Sequence, residues 1–162
     1  MCGILGQIEL HEAVDPEHFA RMLATLAARG PDGEGTQRLH GGRVALGHRR
    51  LAIIDLSPSA AQPLPNEDET IWLTFNGEIY NYRELRKELS SHGHRFRSEG
   101  DSEVVVHAYE QWGDDCVARL RGIFAFGLWD ARRERLLLVR DRLGVKPLYY
   151  WAHANGLVFA FQ

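Results

Sequence analysis

The chain begins with Met1, Cys2 and Gly3, and a cysteine directly after the initiator methionine is an unusual place for a thiol. Because residue 2 is small, removal of Met1 is expected to leave Cys2 as the N-terminal residue, with a thiol and a free α-amine close together. An α-amine titrates near pH ~8 and can serve as a base for the thiol at neutral pH. Cys2 is therefore a candidate nucleophile. The alternative is that it is a small buried residue without a chemical role.

A second candidate is the tripeptide Asn76-Gly77-Glu78, which follows an apolar stretch. Asn76 offers a side-chain amide, and Gly77 offers a backbone N–H that no Cβ hinders. Two such donors can hold the oxyanion that forms when a nucleophile attacks an amide. The alternative is an ordinary turn at the end of a strand, because Asn and Gly are common turn residues.

Hydrophobic periodicity predicts the elements that would position these residues. Strands are expected at 4–10, 36–40, 43–47, 70–75, 123–130, 136–141, 148–152 and 157–161, with a short one at 95–98. Helices are expected from Asp15 to Arg29, after Asn81 with Glu84 completing a capping box, and after Asp101. An N-terminal strand held in a sheet would keep Cys2 in place.

The composition is that of an ordinary globular domain, with 162 residues, 44% hydrophobic and 25% charged. The nearly continuous apolar strands favour an α+β fold whose sheets are covered on both faces. A net charge of −3 gives no reason to expect nucleic acid or an anionic membrane as a partner. Two cysteines are too few for a disulfide framework, and no stretch approaches the ~20 apolar residues of a membrane span. We expect one domain, 1–162, in the cytoplasm.

No metal site is predicted. His92 and His94 are spaced like a pair of ligands, but the sequence around them offers no evident third ligand. We interpret them as residues at the end of a helix.

Seven motifs in register resemble a known family. They are CGI at 2–4, RGPD at 29–32, HRRLAIID at 48–55, FNGEIYN at 75–81, GD at 100–101, LRGIFAF at 120–126 and RDRLGVKP at 140–147. Together they resemble the glutaminase domain of glutamine-hydrolysing asparagine synthetase, a class II glutamine amidotransferase domain of the N-terminal-nucleophile hydrolase superfamily. The resemblance covers essentially the whole chain and implies a four-layer αββα sandwich. The run at 76–81 favours the asparagine synthetase branch over the sugar-phosphate and purine branches.

The resemblance also implies hydrolysis of L-glutamine to glutamate and ammonia through a thioester on Cys2, with no cofactor in this domain. Its catalytic and substrate-binding positions correspond to Cys2, Arg50, Leu51, Ala52, Ile53, Ile54, Asn76, Gly77, Glu78 and Asp101. The family assigns the oxyanion to the Asn-Gly pair, the α-carboxylate of glutamine to the arginine and the α-ammonium to the two acidic residues. The backbone of the apolar run lines the pocket.

The expected partners are L-glutamine and an ATP-dependent synthetase domain, in cis or in trans. The Ser-Gly-Gly-x-Asp-Ser loop of that domain is not among these 162 residues, so ATP and Mg are expected only for the partner domain. A homodimer is compatible with the sequence. Two alternatives stay open: a catalytically silent glutamine-binding or scaffold domain, and an amidotransferase domain that feeds a different acceptor.

Overall fold

The structure is a computed structural model that describes residues 2–51 and 60–161. Nine strands and four α-helices lie in these two ranges. The strands are β1 (Gly3–Glu9), β2 (Gly33–Leu39), β3 (Val44–Arg50), β4 (Leu64–Pro65), β5 (Ile71–Ile79), β6 (Gly122–Asp130), β7 (Arg135–Arg140), β8 (Tyr149–His153) and β9 (Gly156–Phe161). The helices are α1 (Pro16–Thr25), α2 (Tyr82–Ser91), α3 (Ser102–Trp112) and α4 (Cys116–Arg119). Among these helices, none has the length and apolarity needed to span a bilayer.

The strands form two antiparallel sheets, in the orders β2-β3-β1-β9-β8 and β4-β5-β6-β7. β1 lies in the middle of the first sheet, between β3 and β9. Gly3 pairs with Arg49 on one side, and Ile4 pairs with Phe161 on the other. The residues that follow Cys2 are therefore held by ladders on both sides, which confirms that an N-terminal strand anchors this end of the chain.

The two sheets stack face to face, and each carries helices on its outer face. Alternate residues of a strand point to opposite faces, so the central strands contribute to two cores, whereas the edge strand β8 is mostly exposed. In β1, Ile4 packs between the sheets and Leu5 packs with α1. In β5, Trp72 packs between the sheets and Leu73 packs with α2 and α3. The expected four-layer αββα sandwich is confirmed, and burial of both sheet faces accounts for the apolar strands.

The prediction of a short strand at 95–98 is wrong. The structure has no strand in this segment. The N–H groups of Arg97 and Ser98 each donate to the carboxylate of Glu103 at 2.8 Å. Because Glu103 lies in the first turn of α3, the segment is tied to a helix and not to a sheet edge.

All three predicted helices are present, and of the two predicted caps one is correct and one is wrong. Asp15 caps α1 as predicted, with its Oδ1 accepting from the next two helical N–H groups at 2.9 and 3.1 Å, although the helix ends at Thr25 and not at Arg29. The capping box at Asn81 is wrong, because that side chain makes no capping bond to α2. Instead its amide bonds to the backbone of residues 119 and 121, just before β6.

His48 joins the two sheets. It lies in β3, is 1% exposed, and its Nε2 donates to the backbone oxygen of Phe75 in β5 at 3.2 Å. Burial lowers the pKa of His48 from 6.5 to about 4, because the protonated ring would lose its hydration. The buried ring is therefore neutral at pH 7, with its proton on the nitrogen that makes the bond.

We expect His48→Gln to reduce the loss of unfolding free energy that accompanies a fall in pH from 6.5 to about 4. Because the folded-state pKa is depressed, the unfolded chain binds a proton near pH 6.5 that the folded chain takes up only near pH 4. The wild-type protein should lose up to roughly 3 kcal/mol of unfolding free energy as the pH falls through this window. Urea unfolding at several pH values measures the loss. His18→Gln, at an exposed position of α1, should keep the wild-type slope, and the same slope in His48→Gln would contradict this assignment.

Candidate active site

The Cys2 thiol lies against the end of β3. The Leu51 N–H donates to Cys2 Sγ at 3.3 Å, and the Leu51 carbonyl oxygen lies 3.6 Å from the same sulfur. This contact continues the ladder in which Gly3 pairs with Arg49. Leu51 thus lies at the thiol, and its place in a glutamine pocket stays a prediction. The other predicted lining residues, Ala52, Ile53 and Ile54, lie outside the described residues.

Burial, one hydrogen bond and three charges, among them the positive N-terminus of the chain, act on this thiol. Burial raises the pKa of the Cys2 thiol above 9.0, while the Leu51 hydrogen bond and the positive charge of Arg50 lower it and the negative charge of Asp101 raises it again. Arg50, at the end of β3, and Asp101, just before α3, therefore lie near enough to the sulfur for their charges to change its pKa. Because the net shift is upward, the thiol is protonated at neutral pH, and a base has to remove its proton before it can attack.

Arg50 is held by a loop whose role the sequence analysis missed. The Asp32 N–H donates to the Arg50 carbonyl oxygen at 3.0 Å. A Cβ on Gly30 would lie 2.2 Å from the carbonyl carbon of Arg49, so only glycine lets the loop pack this closely on β3. The RGPD run at 29–32 is one of the seven motifs, but no local pattern shows which strand this loop packs on.

Asn76 and Glu78 lie on the face of β5 that points toward the first sheet. Trp72 packs between the sheets, and Thr74 Oγ1 donates to a carbonyl oxygen of β3 at 2.9 Å. Since alternate residues of a strand share a face, the next two even-numbered residues point the same way.

The contacts between β5 and β3, which belong to different sheets, indicate that Asn76 and Glu78 lie toward the thiol. Thr74 bonds to Gly47, and the following residue, Phe75, bonds to His48. The two strands therefore advance in the same direction where they touch. By the same progression Asn76, the next residue of β5, is expected near Arg49 and Arg50, the last residues of β3, beside which the thiol lies.

Asn76 has a buried donor without a partner. The residue is 3% exposed, and its Nδ2 has no hydrogen-bond partner in the described structure. Leaving a buried amide donor unpaired costs roughly 1–3 kcal/mol, so such groups are rare and require an explanation. A ligand with an acceptor oxygen beside the thiol would supply the missing partner.

Gly77 is part of β5, so the interpretation of Asn76-Gly77-Glu78 as a turn after a strand is wrong. The three residues pair with β6, Gly77 opposite Phe124. Gly77 has a φ of 154°, and a Cβ there would lie 2.2 Å from the Ile123 carbonyl oxygen, so the close approach of β6 requires glycine.

The backbone N–H of Gly77 points away from β6. Along β5 the N–H groups of Phe75 and Ile79 bond to the side chains of Gln62 and Asp101, at 2.7 and 2.8 Å, and not to β6. Because alternate N–H groups in an antiparallel strand point to the same edge, the Gly77 N–H lies on this edge, between the other two. It adjoins the unpartnered amide of Asn76.

Asp101 and Glu78 form an acidic pair at the start of α3. Asp101 Oδ2 accepts the Ile79 N–H, and its side chain makes no capping bond to α3. Burial raises the pKa of Asp101 above 3.8, and the negative charge of Glu78 raises it further. A cation between the two side chains would offset the effect of the Glu78 charge on Asp101.

The described part of the site thus combines a thiol, an arginine, two carboxylates and two hydrogen-bond donors, the Asn76 amide and the Gly77 N–H. The thiol can form a covalent bond to a carbonyl carbon, and the paired donors can hold the resulting oxyanion. The arginine and the carboxylates can bind the carboxylate and the ammonium of an amino acid. The arrangement suits an amino acid that carries a second carbonyl group in its side chain.

Curated relatives match this chain over almost its full length. Asparagine synthetase [glutamine-hydrolyzing] 3 of Bacillus subtilis is 40% identical over 166 residues, covering 100% of this chain and 26% of that protein. The asparagine synthetase of Sandersonia aurantiaca is 44% identical over 161 residues, covering 98% and 30%. Amidase chry2 of Gibberella zeae is 42% identical over 146 residues, covering 90% and 22%. The chain therefore spans about a quarter of the length of these relatives.

A solved structure supports the fold. Glutamine phosphoribosylpyrophosphate amidotransferase from Bacillus subtilis superposes with a TM-score of 0.82 over 98% of this chain and 41% of that chain, at 23% identity. The expected sandwich of the N-terminal-nucleophile hydrolase type is confirmed. At this identity the likeness extends to the fold alone.

The family assignment rests on the whole chain. Residues 1–162 match the family described as Glutamine amidotransferase domain. The resemblance drawn from the seven motifs is confirmed by this match and by relatives of about 40% identity. The chain therefore belongs to the glutamine amidotransferase domain family.

Proposed function

We propose that this chain hydrolyses L-glutamine to glutamate and ammonia, with Cys2 as the nucleophile. The observation that carries the proposal is the buried, unpartnered Nδ2 of Asn76 on the strand that approaches the thiol. An oxyanion formed at the thiol is the partner that this donor lacks. Membership of the glutamine amidotransferase family supports glutamine as the source of that oxyanion.

The charged groups fit the two ends of the free amino acid. Arg50 would bind the α-carboxylate through its planar fork of donors. Asp101 and Glu78 would bind the α-ammonium, whose charge relieves their mutual repulsion. With both ends held, the side-chain amide extends toward Cys2. The backbone of Leu51 would line the pocket beside the thiol.

The first half of the reaction releases ammonia. Once Met1 has been removed, the α-amine of Cys2 takes the thiol proton, and the thiolate attacks the amide carbon. The negative charge moves to the amide oxygen, where the Asn76 amide and the Gly77 N–H stabilise it. The tetrahedral intermediate collapses, the C–N bond breaks, and the nitrogen leaves as ammonia with the proton that the α-amine carried.

The second half regenerates the thiol. Water attacks the γ-glutamyl thioester on Cys2, again with the α-amine as the base, and the same two donors hold the oxyanion. The C–S bond breaks, the sulfur recovers a proton, and glutamate leaves. The reaction needs no histidine base and no metal ion.

The proposal is tested with protein from which Met1 has been removed, as verified by intact mass. We expect glutamate and ammonia in equal amounts. Hydroxylamine should divert part of the acyl group to γ-glutamyl hydroxamate, because it competes with water for the thioester. Protein that binds glutamine without releasing ammonia would instead be the silent glutamine-binding domain, and protein that neither binds nor hydrolyses glutamine would refute both proposals.

We expect Arg50→Lys to lower kcat/KM for glutamine roughly 10–100-fold, mainly through KM. Lysine keeps the charge and loses the fork, and a hydrogen bond to a charged group contributes about 1.5–3 kcal/mol. The matched substrate is the amide of γ-aminobutyrate, which lacks the α-carboxylate. Steady-state kinetics should show that Arg50→Lys weakens hydrolysis of glutamine far more than of this analogue. An equal loss on both substrates would contradict the carboxylate role.

The destination of the ammonia is a further part of the proposal. The relatives named asparagine synthetase favour asparagine synthesis by an ATP-dependent synthetase domain, in cis or in trans. The match to a protein named an amidase keeps a different acceptor open. The cytoplasmic location, the homodimer, the absence of nucleic-acid partners and the single domain stay predictions.

A further inference from the structure

We propose that His94, His107 and Glu110 form a binding site for a divalent metal ion of the zinc class. His107 and Glu110 lie one turn apart on α3, and His94 lies in the segment after α2. One ligand atom from each residue lies within 4.8 Å of the other two. The site belongs to the outer helical layer and shares no residue with the proposed glutamine site.

Two of the three separations between the ligand atoms are compatible with a tetrahedral ion. Glu110 Oε2 lies 2.8 Å from His107 Nδ1 and 3.6 Å from His94 Nδ1. Metal–ligand bonds of about 2.0–2.1 Å at tetrahedral angles place neighbouring ligand atoms about 3.3 Å apart. The two observed separations bracket this value. Two histidines and a glutamate are also a ligand set that zinc uses in proteins.

The neighbours orient the ligands as an outer shell would. Gln111 Oε1 lies 3.1 Å from His94 Nε2, and Glu103 Oε1 lies 3.6 Å from His107 Nε2. The Gln111 acceptor favours a proton on His94 Nε2 and leaves the Nδ1 lone pair of His94 for a metal. His107 Nε2 makes no hydrogen bond in the described structure, and the Glu103 carboxylate acts on it through its charge. Asn66 Nδ2 donates at 2.8 Å to the other carboxylate oxygen of Glu110, which leaves Oε2 for the ion.

The surroundings favour a structural ion. The edge of Phe96 packs against the His107 ring at 4.7 Å between centroids, which shields that side of the site from water. Glu67 Oε2 lies 3.9 Å from His107 Nδ1 on a partly exposed side chain, so it or a water molecule can supply a fourth ligand. An ion here would tie the segment after α2 to α3, the helix whose first turn follows Asp101.

A proton is the competing occupant. Burial disfavours the charged His107 ring, but the nearby carboxylates of Glu103 and Glu110 outweigh burial and raise the pKa of His107 to about 9. A metal ion must therefore displace this proton, and binding is best measured in mildly alkaline buffer. If the cluster holds only a proton, it is an internal ion pair and binds no metal.

The experiment titrates cobalt(II) into the full chain after treatment with a chelator. The titrated protein carries Cys2→Ala, so that the half-buried thiol cannot bind the metal. We expect equimolar binding with the visible absorption of tetrahedral cobalt, and displacement by zinc(II). At a free zinc concentration of ~100 Kd, the melting temperature should rise by at least about 5 °C.

Single variants distinguish cobalt binding at this site from incidental cobalt binding elsewhere on the protein. His94→Gln and Glu110→Gln should each weaken cobalt binding by more than the ~10–100-fold expected for an outer-shell change such as Gln111→Ala. His92→Gln is the matched control, since this histidine lies two residues away and packs on Trp112, and it should bind as tightly as the parent. No equimolar binding, or equal weakening by His92→Gln and His94→Gln, would overturn the proposal.

Discussion

Cys2→Ala is expected to abolish ammonia release from glutamine. Loss of a catalytic nucleophile costs on the order of 10⁶-fold in kcat in a well-studied serine hydrolase, so the residual rate should fall to background. Alanine is small and should still permit removal of Met1. The thiol is only half-buried, so its truncation should change the unfolding free energy by no more than about 1 kcal/mol. A coupled assay for glutamate and a thermal melt measure the two quantities.

The second cysteine provides the control. Cys116 is fully buried among apolar side chains of the helical layer, and burial raises its pKa to about 12. Cys116→Ala should therefore leave glutamine hydrolysis unchanged while it lowers stability by about 1 kcal/mol through the cavity it creates. Glutaminase activity that survives Cys2→Ala, or that disappears with Cys116→Ala in folded protein, would contradict the assignment of the nucleophile.

The base is tested separately from the nucleophile. A chain with one uncleaved residue before Cys2 keeps the thiol and converts its α-amine into an amide, which is not basic. Because the thiol pKa is raised by burial, we expect this chain to be almost as inactive as Cys2→Ala. The intact mass verifies the extension. Full activity of the extended protein would mean that another group removes the thiol proton.

The sequence predicted most of the strands because their apolar runs are long, and the central strands β1, β3, β5 and β6 are buried on two faces. It failed where a local signal opposed a tertiary contact. Asn76 and Gly77 are typical of turns, and the sequence analysis ended the strand at Phe75. In the structure β5 continues to Ile79 because β6 pairs with it throughout, and Gly77 is needed there for the close approach to β6. The order of strands within the two sheets was likewise outside the reach of local patterns.

The candidate site could be named from motifs, but its geometry could not. No local pattern shows that Asp101 binds the Ile79 N–H or that the loop containing Gly30 packs on β3, because these contacts join residues far apart in the chain. The same limit explains why the cluster of His94, His107 and Glu110 was not predicted. His94 was interpreted as the end of a helix, since its neighbours there, His107 and Glu110, come from α3.

Asn76→Ala is expected to lower kcat about 10²–10³-fold with little change in KM. The donor is proposed to bind an oxyanion that exists only in the tetrahedral states, so its loss weakens the transition state and not the bound substrate. In free protein Nδ2 has no partner in the described structure, so the truncation breaks no hydrogen bond of that group. Relief of an unpaired buried donor offsets the cavity. The melting temperature should therefore stay close to that of the wild type.

Asn66 is the matched control, because it is equally buried and fully bonded. It is 2% exposed, its Oδ1 accepts the N–H groups of Thr70 and Ile71, and its Nδ2 donates to Glu110. Asn66→Ala should lower the unfolding free energy by at least about 2 kcal/mol, since these bonds are lost together, while kcat stays near the wild-type value. Two buried asparagines thus have opposite expected effects. Asn76→Ala with wild-type kcat, or with a loss of stability like that of Asn66→Ala, would show that its amide is a structural group and not the oxyanion donor.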